Sequence, residues 1–210
     1  MKKRLYIAIA FICAFVLWTL MISIIDVQPI GPNNTNVGFS TINRHFHNLT
    51  GVNFKLYTTT DWLGLIPVLI VFSFGFQGLA QWIKRKNLFR VDYSILTLGV
   101  YYFIVFAVYL IFETVIINYR PVLINGHLEV SYPSSTTMLV MCVMPTALIQ
   151  FNKRIKSNKI KIFFSVVIYA FIEFMVVARL ISGVHWFTDI IGGIILSTGL
   201  VILYSCFGKR

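Results

Sequence analysis

Two side chains near the end of the sequence have the types and the spacing of a nucleophile and its orienting acid. His185 and Asp189 are four residues apart, which predicts that they share one face of a helix. On such a face the carboxylate can hold one imidazole nitrogen and leave the other free to attack. Asp189 also lies in an apolar stretch, where a charged side chain requires a partner. His185 and Asp189 are therefore candidate catalytic residues.

Two arginines and a cluster of hydroxyls supply groups that bind phosphate. The planar guanidinium fork matches phosphate oxygens, which makes Arg120 and Arg179 candidate phosphate ligands. Ser134, Ser135 and Thr136 follow a proline, and this pattern predicts a helix start whose N–H groups and hydroxyls favour an anion. Each feature also has a structural interpretation, because arginines extend to lipid headgroups and hydroxyls cap helices. Together they indicate one anion-binding pocket.

The composition indicates that the helices that position these residues lie in a membrane. Apolar residues make up 58% of the 210 and charged residues only 12%, whereas soluble domains carry about 25% charged residues. A spanning helix needs about 20 apolar residues, and six stretches qualify: 5–25, 62–83, 93–117, 133–151, 162–180 and 184–207. The prediction is an all-α polytopic membrane protein in which residues 1–210 form one six-helix domain.

The distribution of basic residues predicts the orientation of these spans. Fourteen of the eighteen Lys and Arg residues lie at the N-terminus, in the second-to-third and fourth-to-fifth connections, and at the C-terminus. Short loops rich in Lys and Arg stay cytoplasmic, so both termini are predicted in the cytoplasm and the candidate site, within residues 113–189, on the extracytoplasmic side. The positive net charge thus reflects topology, which argues against nucleic-acid binding.

The connection at residues 27–61 is long and is predicted to face the extracytoplasmic side. Its mixture of aromatic and polar residues indicates a short interfacial helix with Phe46, Phe54 and Tyr57 toward lipid. The chain's cysteines, Cys13, Cys142 and Cys206, lie in apolar runs and are predicted to be buried packing residues.

Three blocks of the sequence resemble the type 2 phosphatidic acid phosphatase superfamily, membrane lipid phosphatases that share a helical core with vanadium haloperoxidases. The family blocks are KxxxxxxRP, PSGH and SRxxxxxHxxxD, in this order. Residues 113–121 match the first block except for Glu113 in place of lysine, and residues 133–136 keep only Pro-Ser of the second. Residues 178–189 match the third block except for its leading serine.

The resemblance implies a metal-independent, two-step phosphoryl transfer without a cofactor. His185 would form a phosphohistidine, Asp189 would orient it, and Arg120 and Arg179 would hold the phosphoryl oxygens with help from Ser134 and the helix start. Water would then hydrolyse the intermediate. The implied substrates are lipid phosphates and diphosphates in the cell membrane, such as phosphatidate, phosphatidylglycerophosphate and undecaprenyl diphosphate.

The departures from the family blocks change what chemistry is expected. With Glu113 in place of lysine, the two arginines and two carboxylates of the blocks cancel in charge. Thr136 stands where the family has a histidine that protonates the leaving group, and a hydroxyl is too weak an acid for this role. A diphosphate, whose leaving group needs little protonation, is therefore the expected substrate. Glu113 could act as a substitute acid or pair with Arg120.

Two other functions and two other residues remain open at this level. A non-catalytic relative could bind a phospholipid or a membrane partner through the arginines, and a lipid phosphotransferase could pass the phosphoryl group to an acceptor other than water. His127 is either a proton donor or, as we favour, a solvated loop residue. Glu173 lies among apolar residues of the fifth span and is interpreted as a protonated packing residue. The sequence leaves the oligomeric state undetermined.

Overall fold

The structure is a computed structural model and describes residues 2–207. Lys209 and Arg210, two of the basic residues that predict a cytoplasmic C-terminus, lie outside this range. Within the described range the helices, in chain order, are α1 (Lys2–Ile24), α2 (Ser40–Thr50), α3 (Phe54–Leu63), α4 (Leu65–Arg85), α5 (Tyr93–Thr114), α6 (Ser135–Arg154), α7 (Asn158–Ile181) and α8 (Phe187–Phe207).

Six helical segments of residues 2–207 are long and apolar enough to cross a bilayer. They are Lys2–Ile24, Phe54–Arg85, Tyr93–Thr114, Ser135–Arg154, Asn158–Ile181 and Phe187–Phe207. The predicted all-α fold with six spans is thereby confirmed. Two boundaries matter for function: the second span begins at Phe54 instead of residue 62, and the sixth begins at Phe187, after His185.

The centre of the bundle is formed by α6 and α8, each about half buried (56% and 50%), whereas the other spans bury less than a quarter of their residues. Glycines on α8 allow its neighbours to approach closely. A side chain at Gly199 would meet Ala8 and Phe11 of α1, and one at Gly192 would meet the ring of Tyr132. Small residues at such contacts are typical of helix packing in membranes, and here they fix the helix that begins just after His185.

One stripe of α1 packs against α8. Its buried residues, Ala8, Phe15 and Ile22, are spaced at two-turn intervals and so lie on one face. Cys13 lies outside this stripe and is exposed, while Cys142 in the central α6 is buried. The prediction that the cysteines are buried packing residues is therefore correct for Cys142 and wrong for Cys13, because a peripheral helix buries only one face.

The connection between α1 and α3 contains a helix, α2, that holds the start of α8. The Asn43 amide donates to Thr188 Oγ1 (3.0 Å) and accepts from the Thr188 backbone N–H (3.2 Å). Phe46 stacks on Phe187 with ring centroids 4.2 Å apart. The prediction that Phe46 faces lipid is therefore wrong, because it packs against the protein.

The second span is broken at Gly64 into α3 and α4. Pro67, in the first turn of α4, has no N–H to donate to the carbonyl of Leu63, so the helix cannot continue unchanged through this point. Residues 54–61, predicted as part of the connection, are helical and belong to α3. This places α3 against α7, beside Arg179.

A hairpin-like loop connects α5 to α6 and carries several polar residues of the candidate site. Asn125 and Gly126 both have positive φ (50° and 81°), as a tight hairpin turn requires. Isolated bridges pair Tyr119 with Val130 and Ile124 with His127. Since alternate residues of an extended segment face the same side, one face of this hairpin presents Asn118, Arg120, Glu129 and Ser131.

Candidate active site

His185 lies in the turn between α7 and α8 and is 4% exposed. Gly183 allows this turn, because it has a φ of 65° and lies so close to the backbone of Gly51 that a side chain would not fit. The prediction that His185 shares a helix face with Asp189 is wrong, since the helix begins at Phe187. Tertiary packing of the turn, and not helical spacing, brings the two side chains together.

Both candidate phosphate ligands converge on one nitrogen of this histidine. Nε2 of His185 lies 3.0 Å from Nη1 of Arg120 and 3.2 Å from Nη2 of Arg179. Guanidinium groups only donate hydrogen bonds, so Nε2 must carry a lone pair. The other nitrogen, Nδ1, therefore carries the proton of the neutral ring.

Ser131 connects the imidazole to Asp189. Its Oγ lies 3.0 Å from Nδ1 of His185 and 2.5 Å from Oδ2 of Asp189. The carboxylate can only accept, so the hydroxyl donates to Asp189 and accepts the Nδ1 proton. The direct distance from Nδ1 to Oδ2 is 3.9 Å, too long for a hydrogen bond. Asp189 thus orients His185 through Ser131 and not by direct contact.

Asp189 is completely buried and accepts hydrogen bonds from three groups. Besides Ser131, these are the amide of Asn118 (3.2 Å) and the backbone N–H of Trp186 (2.9 Å). The last contact reaches back from the third residue of α8 to the residue before the helix, as in a capping box. One carboxylate therefore supports both the start of α8 and the orientation of the histidine.

The surroundings of His185 hold its imidazole in the neutral form. Burial is the main cause that lowers the pKa of His185 well below its usual value, and the nearby charges of Arg120 and Arg179 lower it further. An imidazole in this state keeps the Nε2 lone pair that a nucleophile requires.

Each arginine is also paired with a carboxylate on the side away from His185. Nη1 of Arg179 lies 2.8 Å from Oδ1 of Asp61, and Nε of Arg120 lies 3.0 Å from Oε2 of Glu129. Thr60 adds a hydrogen bond to Arg179 at 3.0 Å. Sequence reasoning singled out neither Asp61 nor Glu129, and pairing with Arg120 was one of the two roles left open for Glu113.

The ring of Tyr57, on α3, lies over both guanidinium groups. Its centroid is 4.7 Å from the guanidinium carbon of Arg179 and 5.6 Å from that of Arg120. This distance suits a cation–π interaction. The prediction that Tyr57 faces lipid is wrong, because the helical start of the second span turns this residue toward the arginines. Phe54, in contrast, is 51% exposed.

The three hydroxyl residues at the start of α6 occupy different positions. Ser134 is the buried N-cap residue, and its backbone N–H donates to the carbonyl of Asp189 (3.2 Å). Ser135 lines the small cavity that contains His185, Arg120 and Glu113. Thr136 lines a neighbouring apolar groove between α4, α5 and α6. Of the three, Ser135 is therefore the one that shares a cavity with His185, and phosphate binding by all three stays a prediction.

The remaining residues singled out in the sequence lie at the edge of the site or away from it. Glu113 is exposed and lines the same cavity as His185. His127 is exposed at the tip of the hairpin, which agrees with a solvated loop residue. Glu173 lies exposed on the outer face of α7, so its interpretation as a packing residue is wrong.

Sequence reasoning missed Ser131 and Glu129, although a signal for them exists. Asn125-Gly126 is a strong hairpin-turn signal, which predicts that the residues after the turn return beside the segment that contains Arg120. The exact register is not predicted, because the pairing of Tyr119 with Val130, which puts residues 129 and 131 beside residues 120 and 118, is offset by two residues from the pairing of Ile124 with His127. The contact of Asp61 with Arg179 has no such signal, because it depends on how α3 packs against α7.

The fold and site described above define a polytopic helical membrane protein with a buried histidine between two arginines, and comparison with known proteins gives its family. The model of the PAP2 superfamily matches residues 69–210, which include every residue of the three blocks. The chain belongs to this superfamily. Comparison with curated proteins gives no match.

A solved structure has the same fold. It is the crystal structure of a transmembrane PAP2 type phosphatidylglycerolphosphate phosphatase from Bacillus subtilis, which superposes with a TM-score of 0.62 at 17% sequence identity. The alignment covers 95% of this chain and 94% of the other. At this level of identity the similarity establishes the arrangement of helices and leaves the substrate to be argued from the site.

Proposed function

We propose that this protein hydrolyses a lipid-linked phosphate, preferentially a diphosphate such as a polyprenyl diphosphate, through a phosphohistidine at His185. The observation that carries the proposal is the convergence of Arg120 and Arg179 on Nε2 of His185, at 3.0 and 3.2 Å. Two bidentate anion ligands beside a neutral imidazole nitrogen place a phosphoryl group next to a nucleophile.

The first step forms a covalent intermediate. Nε2 of His185 attacks phosphorus, the P–N bond forms, and the bond from phosphorus to the leaving oxygen breaks. Arg120 and Arg179 move from Nε2 to the non-bridging oxygens and stabilise the charge that develops there. Ser131 keeps the Nδ1 proton in place, so the phosphorylated ring carries a positive charge that Asp189 stabilises. In the second step water attacks phosphorus, the P–N bond breaks, and phosphate leaves.

The preference for a diphosphate follows from the groups around the leaving oxygen. Thr136 replaces the general acid of the family and lines the neighbouring groove, not the cavity that contains His185. General-acid help is worth about 10²–10⁴-fold in rate, and its absence penalises an alkoxide far more than a phosphate leaving group. Glu113, which lines the cavity, is the side chain we assign as a substitute acid.

The proposed location of the site is the extracytoplasmic face of the cell membrane, with both termini in the cytoplasm. Basic residues gather at the opposite end of the bundle, where α4 ends at Arg85 and α6 ends at Arg154. The rule that loops rich in Lys and Arg stay cytoplasmic therefore supports the outer location.

The test is phosphate release from a panel of lipid phosphates and diphosphates in detergent or vesicles. We expect release from the unmodified protein, fastest with a polyprenyl diphosphate, and loss of at least about 10³-fold in His185→Gln, because the nucleophile is removed. His127→Gln, an exposed histidine at the hairpin tip, is the matched control and should retain full activity.

Three other outcomes would contradict the proposal. Unchanged turnover in His185→Gln would remove the phosphohistidine. Binding of lipid phosphates without turnover or covalent labelling of His185 would establish a non-catalytic relative. Phosphate transfer that requires an acceptor lipid would establish a phosphotransferase.

A further inference from the structure

We propose that Asp61 and Glu129 make this site selective for phosphoryl groups that carry a single negative charge. The inference rests on the proposed function and concerns the ionic form of the substrate. The family resemblance leads to a different expectation, since a lysine and two arginines would favour a dianion.

The two carboxylates are much more exposed than the arginines with which they pair. The side chains of Arg179 and Arg120 are 1% and 9% exposed, whereas those of Asp61 and Glu129 are 43% and 41% exposed. Each carboxylate is within 3.0 Å of its guanidinium group. The positive charge of each arginine is therefore already offset by a nearby carboxylate before an anion binds.

The charges around the site do not leave a positive excess. The charged and titratable side chains that face it are Tyr57 and Asp61 of α3, Tyr109 and Glu113 of α5, Arg120 and Glu129 of the hairpin, Arg179 of α7, and His185 and Asp189 at α8. Two cations thus face four carboxylates, with the histidine and the tyrosines neutral. Such a site repels each additional negative charge on the phosphoryl group that lies beside Nε2 of His185.

Repulsion of this kind is large enough to be measured as a change in the affinity of an anion. Two charges several ångströms apart in a protein of moderate effective dielectric interact strongly enough to change an affinity by roughly 10-fold or more. The cavity beside His185 holds only about 20 Å³, enough for a single water molecule. A phosphoryl group must therefore displace the two guanidinium groups from Nε2, while Asp61 and Glu129 stay paired with the same guanidinium groups.

The singly charged form also carries its own proton, so protonation of the leaving oxygen does not depend on Glu113 as the acid. When Nε2 attacks a protonated phosphoryl group, that proton passes to the leaving oxygen as its bond to phosphorus breaks. The products are the protonated leaving group, which is an alcohol from a phosphate ester and a singly charged phosphate monoester from a diphosphate, and a phosphohistidine in which the positive ring balances one of two phosphoryl charges. Atoms and charge balance without a protein acid, which compensates for Thr136 in place of histidine.

The experiment compares phosphate with sulfate as ligands of the purified protein by isothermal titration calorimetry. A phosphate ester exchanges its second proton with a pKa of about 6, and free phosphate behaves similarly, so between about pH 5.5 and 8 phosphate changes charge. Sulfate has the same shape and keeps two charges throughout. His185 stays neutral because burial and the two arginines lower its pKa. A protein group that titrates in this range acts on both anions, so the ratio of phosphate to sulfate affinity reports the charge of the ligand.

We expect phosphate to bind the unmodified protein at least about 10-fold more tightly than sulfate at the acid end, and progressively less tightly as pH rises. In Asp61→Asn and Glu129→Gln, which keep the shape of the side chains, sulfate affinity should rise roughly 10-fold. Asp92→Asn is the matched control, because Asp92 pairs with Arg85 at 2.8 Å at the other end of the bundle. Heat that persists in Arg179→Gln is subtracted as binding elsewhere.

Three results would contradict the selectivity proposed for this site. If the carboxylates only orient the arginines, Asp61→Asn and Glu129→Gln will weaken phosphate and sulfate alike, and the inference is wrong while the proposed function stands. If the unmodified protein binds sulfate as tightly as phosphate at every pH, the inference also fails alone. If neither anion binds any of these proteins, both the inference and the proposed function fail.

Discussion

Ser131 lies between a histidine and an aspartate that form no direct hydrogen bond with each other. Its hydroxyl is 3.0 Å from Nδ1 of His185 and completes the connection to Asp189, across a direct separation of 3.9 Å. The hydroxyl therefore links the Nδ1 proton to the carboxylate and orients the ring, and its position on the hairpin makes the nucleophile depend on the loop between α5 and α6.

Removal of this hydroxyl is the first prediction. In Ser131→Ala we expect kcat to fall by about 10²-fold with little change in KM, because Asp189 then no longer orients the ring or stabilises its Nδ1 proton as the ring becomes positive, while both arginines stay in place. The measurement is steady-state phosphate release from the preferred lipid substrate. Ser131→Thr keeps the hydroxyl and should recover most of the activity.

A purely structural role for Ser131 would give a different pattern. Both Ser131→Ala and Ser131→Thr would then lower the thermal unfolding temperature, and kcat would follow the fraction of folded protein. Equal kcat values in Ser131→Ala and the unmodified protein would show that Asp189 orients His185 without the hydroxyl.

The neutral state of His185 gives the second prediction. Because its pKa is lowered well below the usual value by burial and by Arg120 and Arg179, protonation should not remove the nucleophile as pH falls through about 6.5, the ordinary value for histidine. Nitrogen NMR of labelled histidine, assigned with His185→Gln, should show an imidazole that stays neutral below that pH.

Loss of one neighbouring charge should shift this titration in a known direction. Arg120→Gln removes a cation that disfavours the protonated ring, so the pKa of His185 should rise and its titration should move to higher pH. Arg85→Gln, a paired arginine at the opposite end, should leave it unchanged. A titration that moves to lower pH in Arg120→Gln would contradict the hydrogen-bond pattern at Nε2.

The sequence was sufficient for the fold and for the convergence of Arg120, Arg179, His185 and Asp189, because long apolar stretches and ordered motif blocks are local signals. It was insufficient for Asp61 and Tyr57, whose roles depend on the helix break before Pro67 and on packing against α7. The prediction that His185 and Asp189 meet directly on one helix face was wrong, because His185 lies in a turn, to which helical spacing does not apply. Contacts between distant segments decide such details, and no local pattern encodes them.

The orientation in the membrane can be tested with single cysteines. His127→Cys at the hairpin tip should react in intact cells with a maleimide that cannot cross the membrane, because we place that tip outside. Lys156→Cys, between α6 and α7, should react only after the cells are opened. The chain's own cysteines are first replaced by alanine. The reverse labelling pattern would place the site in the cytoplasm.

Glu113 acts either as a substitute acid or only as an added negative charge, and a single substitution separates the two roles. It lines the cavity that contains His185, while Arg120 is already paired with Glu129. If its carboxyl group protonates the leaving oxygen, Glu113→Gln should slow release from phosphatidate by about 10–10²-fold and release from a polyprenyl diphosphate much less, since only the alkoxide needs the proton. If the carboxylate only repels the substrate, the same change should lower KM for both lipids and leave the ratio of their kcat values intact. The ratio of kcat for the two lipids, measured with the unmodified protein and with Glu113→Gln at one pH, therefore separates the two roles, and an unchanged ratio would rule out the acid.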